Sequence, residues 1–281
     1  MIGDMKVELN KAKKHKYAIP SFNATNSLMI KKYIEIADHL QAPIIIALAE
    51  GHIEYMDLEE ALHIYKYYAN KTNVPIILHL DHGQDVKIVK QAIDLGFPSV
   101  MIDGSMFDFH TNVAITKEIV EYAKPNNVAV EAEIGHVGTG ENNYETDKSM
   151  DSIYTSGEGS VKFVKKTNVD SLAVSIGTVH GHYKGTPKLN FELLEDINNS
   201  VDIPLVLHGG SSSGDNNLRK TIEFGIAKIN IFTDVVTTIN EQLDNDREYF
   251  KTWEQINLGI ERCLNHYINL FGTKRWREVN D

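Results

Sequence analysis

The sequence predicts an α/β protein folded as a (β/α)8 TIM barrel. Short β-rich runs alternate with amphipathic helical segments at a nearly regular interval along the 281 residues. The apolar residues of these runs are continuous rather than alternating, as expected for parallel strands that are buried on both faces. In a barrel of this kind the functional groups lie at the carboxyl ends of the strands.

The individual elements can be placed from local signals. The eight predicted strands span residues 17–23, 43–49, 75–81, 99–103, 128–134, 171–176, 204–208 and 227–231. Asp57 is placed to cap a helix in which apolar residues recur at i, i+3, i+4 and i+7 from Leu58. Gly96 and Gly225 follow two further amphipathic segments and suit helix C-termini.

Two stretches depart from the βα rhythm. Residues 135–160 are rich in Gly, Asn, Ser and acidic residues, and such a long loop after a barrel strand predicts a lid. Residues from about 244 to 281 predict one or two additional C-terminal helices with a basic end. We expect residues 1–281 to form one domain, because α/β barrels of this length are usually undivided.

Composition limits the classes of function. The formal net charge of −11 argues against a nucleic acid partner, because binding of a polyanion depends on a basic surface. Cys263 is the single cysteine, so no intrachain disulfide can form. With neither a signal peptide pattern nor an apolar run of membrane-spanning length, we expect a cytoplasmic protein without membrane contact.

Three histidines stand where predicted strands end. His82, His180 and His208 are each followed by glycine, and the carboxyl ends of barrel strands converge on one face. Three imidazole nitrogens with a fourth position left open are typical of a catalytic zinc site. The sequence therefore predicts a Zn²⁺ centre at the top of the barrel.

Four segments in this order carry a family resemblance that runs over nearly the whole chain. They resemble the class II, zinc-dependent ketose-bisphosphate aldolases, in the shorter group with the tagatose-bisphosphate and some fructose-bisphosphate enzymes. The segments are Leu80-Asp81-His82-Gly83, Gly177-Thr178-Val179-His180-Gly181, His208-Gly209-Gly210-Ser211 and Asn230-Ile231-Phe232-Thr233.

The resemblance implies roles for these residues. The three histidines would hold Zn²⁺, which acts as a Lewis acid on dihydroxyacetone phosphate. Asp81 would take a proton from the C4 hydroxyl in cleavage and return it in condensation. Neighbouring strand residues point to opposite sides, so Asp81 and His82 can both reach the site only if the backbone turns there. Asp81 could instead orient a ligand histidine.

Further residues are implied by the same resemblance. Asp103 and Glu133 would contact a second metal position, or would instead close a buried network at the barrel top. Glu141, on the long loop, would remove the C3 proton of dihydroxyacetone phosphate, or would be a solvated acid. The substrate would contact Asn23, Gly181, Lys184, Gly209, Gly210, Ser211, Asn230, Ile231, Phe232 and Thr233. A monovalent cation, Na⁺ or K⁺, is also used in the family.

The chain departs from the family pattern at several positions that would line the substrate site. Relatives often carry a substrate-contacting serine at the end of the second strand, where this chain has Ala47-Leu48-Ala49. Phe232 occupies a position that is small or acidic in many relatives. The region 253–258 matches poorly the helix that contributes to the distal phosphate site in relatives. The resemblance therefore covers the dihydroxyacetone phosphate half better than the aldehyde half.

We accordingly expect a class II aldolase that cleaves fructose or tagatose 1,6-bisphosphate to dihydroxyacetone phosphate and glyceraldehyde 3-phosphate. One alternative is an aldolase for another phosphorylated ketose or deoxy-sugar acid, and another is a sugar-phosphate sensor that has lost turnover. A zinc hydrolase on the same barrel is disfavoured, because residues 18–23 lack a His-x-His pair. The family also implies a homodimer or homotetramer.

Overall fold

Eight parallel strands close into a barrel in the computed structural model of the chain. The structure describes residues 1–135, 138–139, 155–181, 183, 187–245 and 248–280, without the side chains of 138, 139, 180 and 280. Strand order around the barrel is β1-β10-β9-β7-β5-β4-β3-β2, and two short strands, β6 and β8, pair separately. The predicted (β/α)8 architecture is thereby confirmed.

Every predicted barrel strand is present, with ends that coincide with the predicted ones or differ from them by one or two residues. The barrel strands are β1 (Ile19–Asn23), β2 (Ile44–Ala49), β3 (Ile76–Gly83), β4 (Ser99–Ile102), β5 (Ala129–Ile134), β7 (Ser171–Val174), β9 (Leu205–Leu207) and β10 (Ile226–Ile231). The separate pair consists of β6 (Gly138–Thr139) and β8 (Val179–His180).

Three of the helices in the described part of the chain begin or end at the signals given by Asp57, Gly96 and Gly225. The helices are α1 (Met5–His15), α2 (Ser27–Leu40), α3 (Leu58–Ala69), α4 (Val86–Leu95), α5 (Phe109–Ala123), α6 (Gly157–Thr167), α7 (Phe191–Ser200), α8 (Asp215–Glu223), α9 (Thr233–Gln242), α10 (Tyr249–Leu270) and α11 (Arg275–Asn280). Asp57 caps α3 by accepting the Glu60 N–H at 2.8 Å. Gly96 follows α4 with φ 94°, the left-handed conformation that glycine tolerates.

Two apolar clusters lie on the two sides of the barrel wall. Outward side chains of the strands pack against the helices in a large apolar layer. The inward side chains at the amino ends of the strands form a smaller apolar cluster that α1 covers with Met5, Leu9 and Ala12. Sequence analysis did not predict α1, which precedes the first strand. With its amino end closed by α1, the barrel has its polar interior toward the carboxyl ends.

The two stretches that depart from the βα alternation differ in how they compare with expectation. Helix α6 already begins at Gly157, so the last residues of the expected 135–160 loop are helical. Helices α10 and α11 account for most of the expected C-terminal extension, and Trp276 Nε1 donates to Glu8 of α1 at 2.7 Å. None of the helices in the described part of the chain has the length and apolarity needed to cross a bilayer. The single-domain organisation stays a prediction.

Candidate metal and substrate site

The backbone at the end of β3 turns so that two successive side chains face the same site. Side chains of a regular strand alternate between its faces, which would send Asp81 and His82 to opposite sides. His82 instead has φ 48°, and the pairing of β3 with β4 shifts register between Leu80 and Gly83. A left-handed conformation is uncommon outside glycine and marks a position held by its surroundings. This turn brings both side chains to the mouth of the barrel.

Two predicted ligand histidines, His82 and His208, meet above the barrel interior. Each ring has one nitrogen beside a carboxylate: His82 Nδ1 lies 3.0 Å from Asp103 Oδ2. On the other ring, His208 Nε2 lies 2.9 Å from Glu131 Oε1. The opposite nitrogens, His82 Nε2 and His208 Nδ1, face each other at 2.8 Å. Such carboxylate–histidine pairs orient the imidazoles of metal sites, because they fix which nitrogen is presented to the ion.

The charges around these rings suit a cation between them. Asp81 offers a carboxylate oxygen within 4.8 Å of both histidines, and Asp103 and Glu133 form a similar group with His82. Burial tends to lower the pKa of His82, but the carboxylates of Asp81, Asp103 and Glu133 outweigh it and raise the pKa to about 9. Burial and the neighbouring His82 lower the pKa of His208. The donor set thus fits a metal ion, since it stabilises positive charge at the point where two nitrogens converge.

Asp81 is held in its ionised form at the centre of the site. Its two oxygens each accept a hydrogen bond, from Asn23 Nδ2 and from Asn230 Nδ2, both at 2.9 Å. Burial alone would raise its pKa, yet the nearby cations, foremost His82 and then Lys228, hold the pKa well below the usual range. The geometry therefore presents a fixed carboxylate beside the facing histidine nitrogens.

Beneath the histidines lies a charged layer that sequence analysis missed. Lys228 Nζ donates to both oxygens of Glu131 at 2.8 and 2.9 Å, and both side chains are fully buried. Burial opposes ionisation of Glu131, but Lys228 and the hydrogen bond to His208 lower its pKa to about 2. Single charged residues inside apolar strand runs were the signal that could have revealed this pair.

His79 completes this layer. This residue of β3 is fully buried, with Nδ1 2.8 Å from Ser99 Oγ. Its Nε2 lies 3.8 Å from Glu131 Oε2. Burial, helped by Lys228, lowers its pKa to about 3 and keeps the ring neutral. His79 therefore packs as a neutral side chain against the ion pair.

A cavity of about 180 Å³ opens beside the histidines and collects most of the predicted substrate contacts. It is lined by Asn23, Ala49, His52, Asp81, His82, Gly181, Gly209, Ser211, Asn230, Phe232 and Thr233. Of these, Ala49 and His52 were not among the predicted site residues. Ile231 is fully buried in the layer between strands and helices, and Gly210 packs against Ile229 and Asn230, so neither lines the cavity.

Three predicted site residues have side chains that the structure does not describe. The backbone of His180 lies in β8, where it pairs with Thr139 of β6, and its side chain is outside the described part of the chain. Glu141 and Lys184 lie outside the described residues altogether.

The loop after β9 and the start of α9 are joined by hydrogen bonds and form a cradle at one end of the cavity. Ser211 Oγ accepts the N–H groups of Phe232 and Asp234 at 3.2 and 3.3 Å. Gly209 has φ 66°, and a side chain there would overlap the carbonyl oxygen of Val179, so only glycine suits this turn. Backbone N–H groups at a helix start are a common way to bind phosphate oxygens.

Tyr183 joins the loops that follow β8 and β9. Its hydroxyl accepts the N–H of Val179 at 3.0 Å and donates to the carbonyl oxygen of Gly209 at the same distance. The hydroxyl of Ser213 lies 3.1 Å away. These contacts hold β8 against the loop that follows β9.

Comparison with known proteins gives consistent matches over the full chain. The family model described as fructose-bisphosphate aldolase class-II matches residues 3–275. YdjI of Escherichia coli K12, named as an uncharacterized protein, is 36% identical over 275 residues, which cover 97% of this chain and 98% of YdjI.

Solved structures agree with this match. The crystal structure of the YdjI aldolase from Escherichia coli K12 superposes with a TM-score of 0.86 at 32% identity and covers 98% of both chains. The fructose-bisphosphate aldolase of Campylobacter jejuni superposes with a TM-score of 0.79 at 22% identity, with 97% of this chain and 95% of that chain covered. The second likeness supports the fold alone.

The buried ion pair makes a prediction about stability. Lys228→Met removes the cation and leaves Glu131 charged in the barrel interior, which we expect to lower the free energy of unfolding by about 3–5 kcal/mol. Urea denaturation followed by circular dichroism measures the change. The control is Lys117→Met, because Lys117 is exposed and makes only a surface pair with Glu121. A loss for Lys228→Met no larger than that of the control would contradict the assigned role of the pair.

Proposed function

Because the chain belongs to the class-II fructose-bisphosphate aldolase family, we propose that it reversibly cleaves a phosphorylated ketose into dihydroxyacetone phosphate and an aldehyde, with Zn²⁺ as cofactor. The first candidate substrates are fructose and tagatose 1,6-bisphosphate, which would yield glyceraldehyde 3-phosphate. The observation that carries the proposal is the pair of facing nitrogens of His82 and His208, 2.8 Å apart beside the buried Asp81 carboxylate.

In this proposal the metal would be held by His82 and His208 together with His180. When bound, zinc would supply a Lewis acid that polarises the carbonyl group of the three-carbon unit. Asp103 and Glu131 fix the two described rings through the outer nitrogens, at 3.0 and 2.9 Å. For Asp103, the contact with His82 supports a role in a buried network at the barrel top. The alternative is a second metal position, because Asp103, Glu133 and His82 lie close enough together to hold an ion.

Asp81 is proposed to move the proton of the C4 hydroxyl. Its depressed pKa supplies the ionised carboxylate that cleavage requires as acceptor, and condensation returns the proton to the aldehyde oxygen. The amides of Asn23 and Asn230 hold the carboxylate in place by two hydrogen bonds of 2.9 Å. Glu141 stays the candidate for removal of the C3 proton.

The phosphate of the three-carbon unit is proposed to bind at the cradle after β9. The N–H groups of Phe232 and Asp234 donate to the Ser211 hydroxyl oxygen. Backbone N–H groups at a helix start can bind phosphate oxygens in the same way, which supports the proposal. Gly181, Gly209 and Thr233 line the same cavity. Lys184, Gly210, Ile231 and a monovalent cation, Na⁺ or K⁺, remain part of this proposal on the family resemblance alone.

A second candidate is cleavage of another phosphorylated ketose or deoxy-sugar acid. It is favoured by the cavity wall on the aldehyde side, where Ala49 and Phe232 replace the serine and the small or acidic residue of many relatives. In either case the partner is a small sugar phosphate. A homodimer or homotetramer and a cytoplasmic location stay predictions.

The proposal is tested by release of dihydroxyacetone phosphate from fructose and tagatose 1,6-bisphosphate in parallel. The assay is run on the protein as purified, after chelation, and after zinc is restored. Release that is lost with chelation and regained with zinc is the expected result, and the ratio of the two rates identifies the preferred sugar. If no sugar phosphate is cleaved and zinc does not bind, the proposal is wrong.

Replacing the proton-transfer group should separate chemistry from metal binding. Asp81→Asn keeps the shape of the side chain but removes its proton acceptor, so we expect kcat to fall about 10²–10⁴-fold with the zinc content unchanged. Steady-state kinetics with metal analysis checks this, and Asp94→Asn on the exposed surface is the matched control. A variant that loses zinc but, when reloaded, recovers wild-type kcat would assign Asp81 to metal binding instead.

The carboxylate behind His82 should govern metal affinity. Asp103→Asn weakens the contact with His82 Nδ1, and we expect the affinity for zinc to fall about 10–100-fold. Competition titration against a chromogenic chelator measures the affinity directly, without substrate. An unchanged zinc affinity would show that Asp103 does not orient the ring.

A further inference from the structure

The end of β2 lies next to the carboxylate that is proposed to move the C4 proton. Ala49, the last residue of β2, is paired in register with Asp81 of β3. The chain continues into a single 3-10 turn, Glu50–His52, and both Ala49 and His52 line the cavity. This wall therefore lies on the side of the cavity where the aldehyde half of a ketose would meet Asp81.

The turn that carries His52 is anchored to the loop after β3. The Glu50 carboxylate accepts the N–H groups of Gln84 and Asp85, at 2.7 and 3.1 Å. These amides follow His82 and Gly83 directly in the sequence. The anchor fixes the position of His52 relative to the metal-site strand, so His52 is built into the site.

The imidazole of His52 packs directly against the ring of Phe232, and both residues line the cavity. Their ring centroids are 5.1 Å apart with planes inclined by 51°. The Phe232 N–H donates to Ser211 at 3.2 Å, so the far side of the ring pair is tied to the phosphate cradle. Such a pair offers an apolar face to the carbon chain of a bound molecule.

One nitrogen of the His52 ring makes no hydrogen bond with the described residues. This nitrogen, Nδ1, is buried. Buried polar atoms are nearly always paired, so the unpaired Nδ1 of a ring that lines the cavity retains the capacity for one hydrogen bond to a bound ligand. Ala49 and Phe232 beside it offer no polar side-chain group, which leaves the His52 ring as the hydrogen-bonding element of this part of the wall.

Resting on the proposed aldolase function, we propose that His52 selects the aldehyde substrate. Its Nδ1 forms a hydrogen bond with a hydroxyl group of the aldehyde, while the ring pair of His52 and Phe232 packs against the carbon chain. The chemical class that fits is a hydroxylated aldehyde. His52 thus acts on the aldehyde half and not on dihydroxyacetone phosphate.

The test compares two aldehydes of equal carbon number in condensation with dihydroxyacetone phosphate. Glyceraldehyde carries two hydroxyl groups and propanal carries none, and each is tested with wild type, His52→Phe and His52→Asn. His52→Phe keeps a ring against Phe232 but loses the nitrogen, whereas His52→Asn keeps a polar atom near the Nδ1 position but loses the ring. His63→Phe on the exposed face of α3 is the control.

We expect His52→Phe to lower kcat/KM for glyceraldehyde about tenfold and for propanal less than twofold, because only glyceraldehyde loses a hydrogen bond. His52→Asn should retain more of the preference for glyceraldehyde over propanal than His52→Phe does. The KM for dihydroxyacetone phosphate should change less than twofold in both variants. Equal losses for the two aldehydes, or a loss confined to dihydroxyacetone phosphate, would overturn the assignment.

A partial reaction separates this proposal from the function on which it rests. Zinc-loaded wild-type protein should exchange a C3 proton of dihydroxyacetone phosphate for deuterium without any aldehyde, as followed by NMR. Absence of this exchange together with absence of condensation would overturn the aldolase function and the role of His52 with it. Normal exchange with an unchanged aldehyde preference in His52→Phe would overturn the role of His52 alone.

Discussion

The ion pair between Glu131 and Lys228 is the constraint on which the barrel interior depends. A carboxylate with no access to water is tolerated only when its charge is compensated, and Lys228 supplies two hydrogen bonds to it. The remaining acceptor capacity of Glu131 holds His208. One buried pair therefore connects β5 to β10 and sets the orientation of a proposed metal ligand on β9.

The barrel interior is apolar on one side of this ion pair and polar on the other. Toward the amino ends of the strands lies an apolar cluster closed by α1, which keeps water away from the ion pair. Toward the carboxyl ends lie the carboxylates and the two histidines, where a half-open cavity gives access to ligands. The low polarisability of the surroundings strengthens each electrostatic contact in this layer. The same charges that organise the core thus lower the pKa of Asp81 and raise that of His82.

The two halves of the cavity differ in how closely their residues resemble the family. One half contains the facing histidines, Asp81 and the cradle proposed to bind phosphate, and it is built from segments that resemble the family. The other half is formed by Ala49, His52 and the ring of Phe232, and Ala49 and Phe232 differ from the residues of many relatives. Family membership accounts for the first half. The second half is where we propose that the aldehyde is selected, by the ring pair of His52 and Phe232 and one imidazole nitrogen.

The sequence by itself determined the eight strands, the barrel class and the candidate ligands, because hydrophobic periodicity and short motifs are local properties. It did not determine that His82 adopts φ 48°, which the surrounding structure must stabilise. Nor did it reveal which side chains meet: His82 and His208 are 126 residues apart, and Glu131 and Lys228 are 97 apart. Such contacts depend on closure of the barrel, which brings distant strands together. Only the tertiary structure could therefore show that buried charges orient the histidines and that His52 packs against Phe232 in the wall of the cavity.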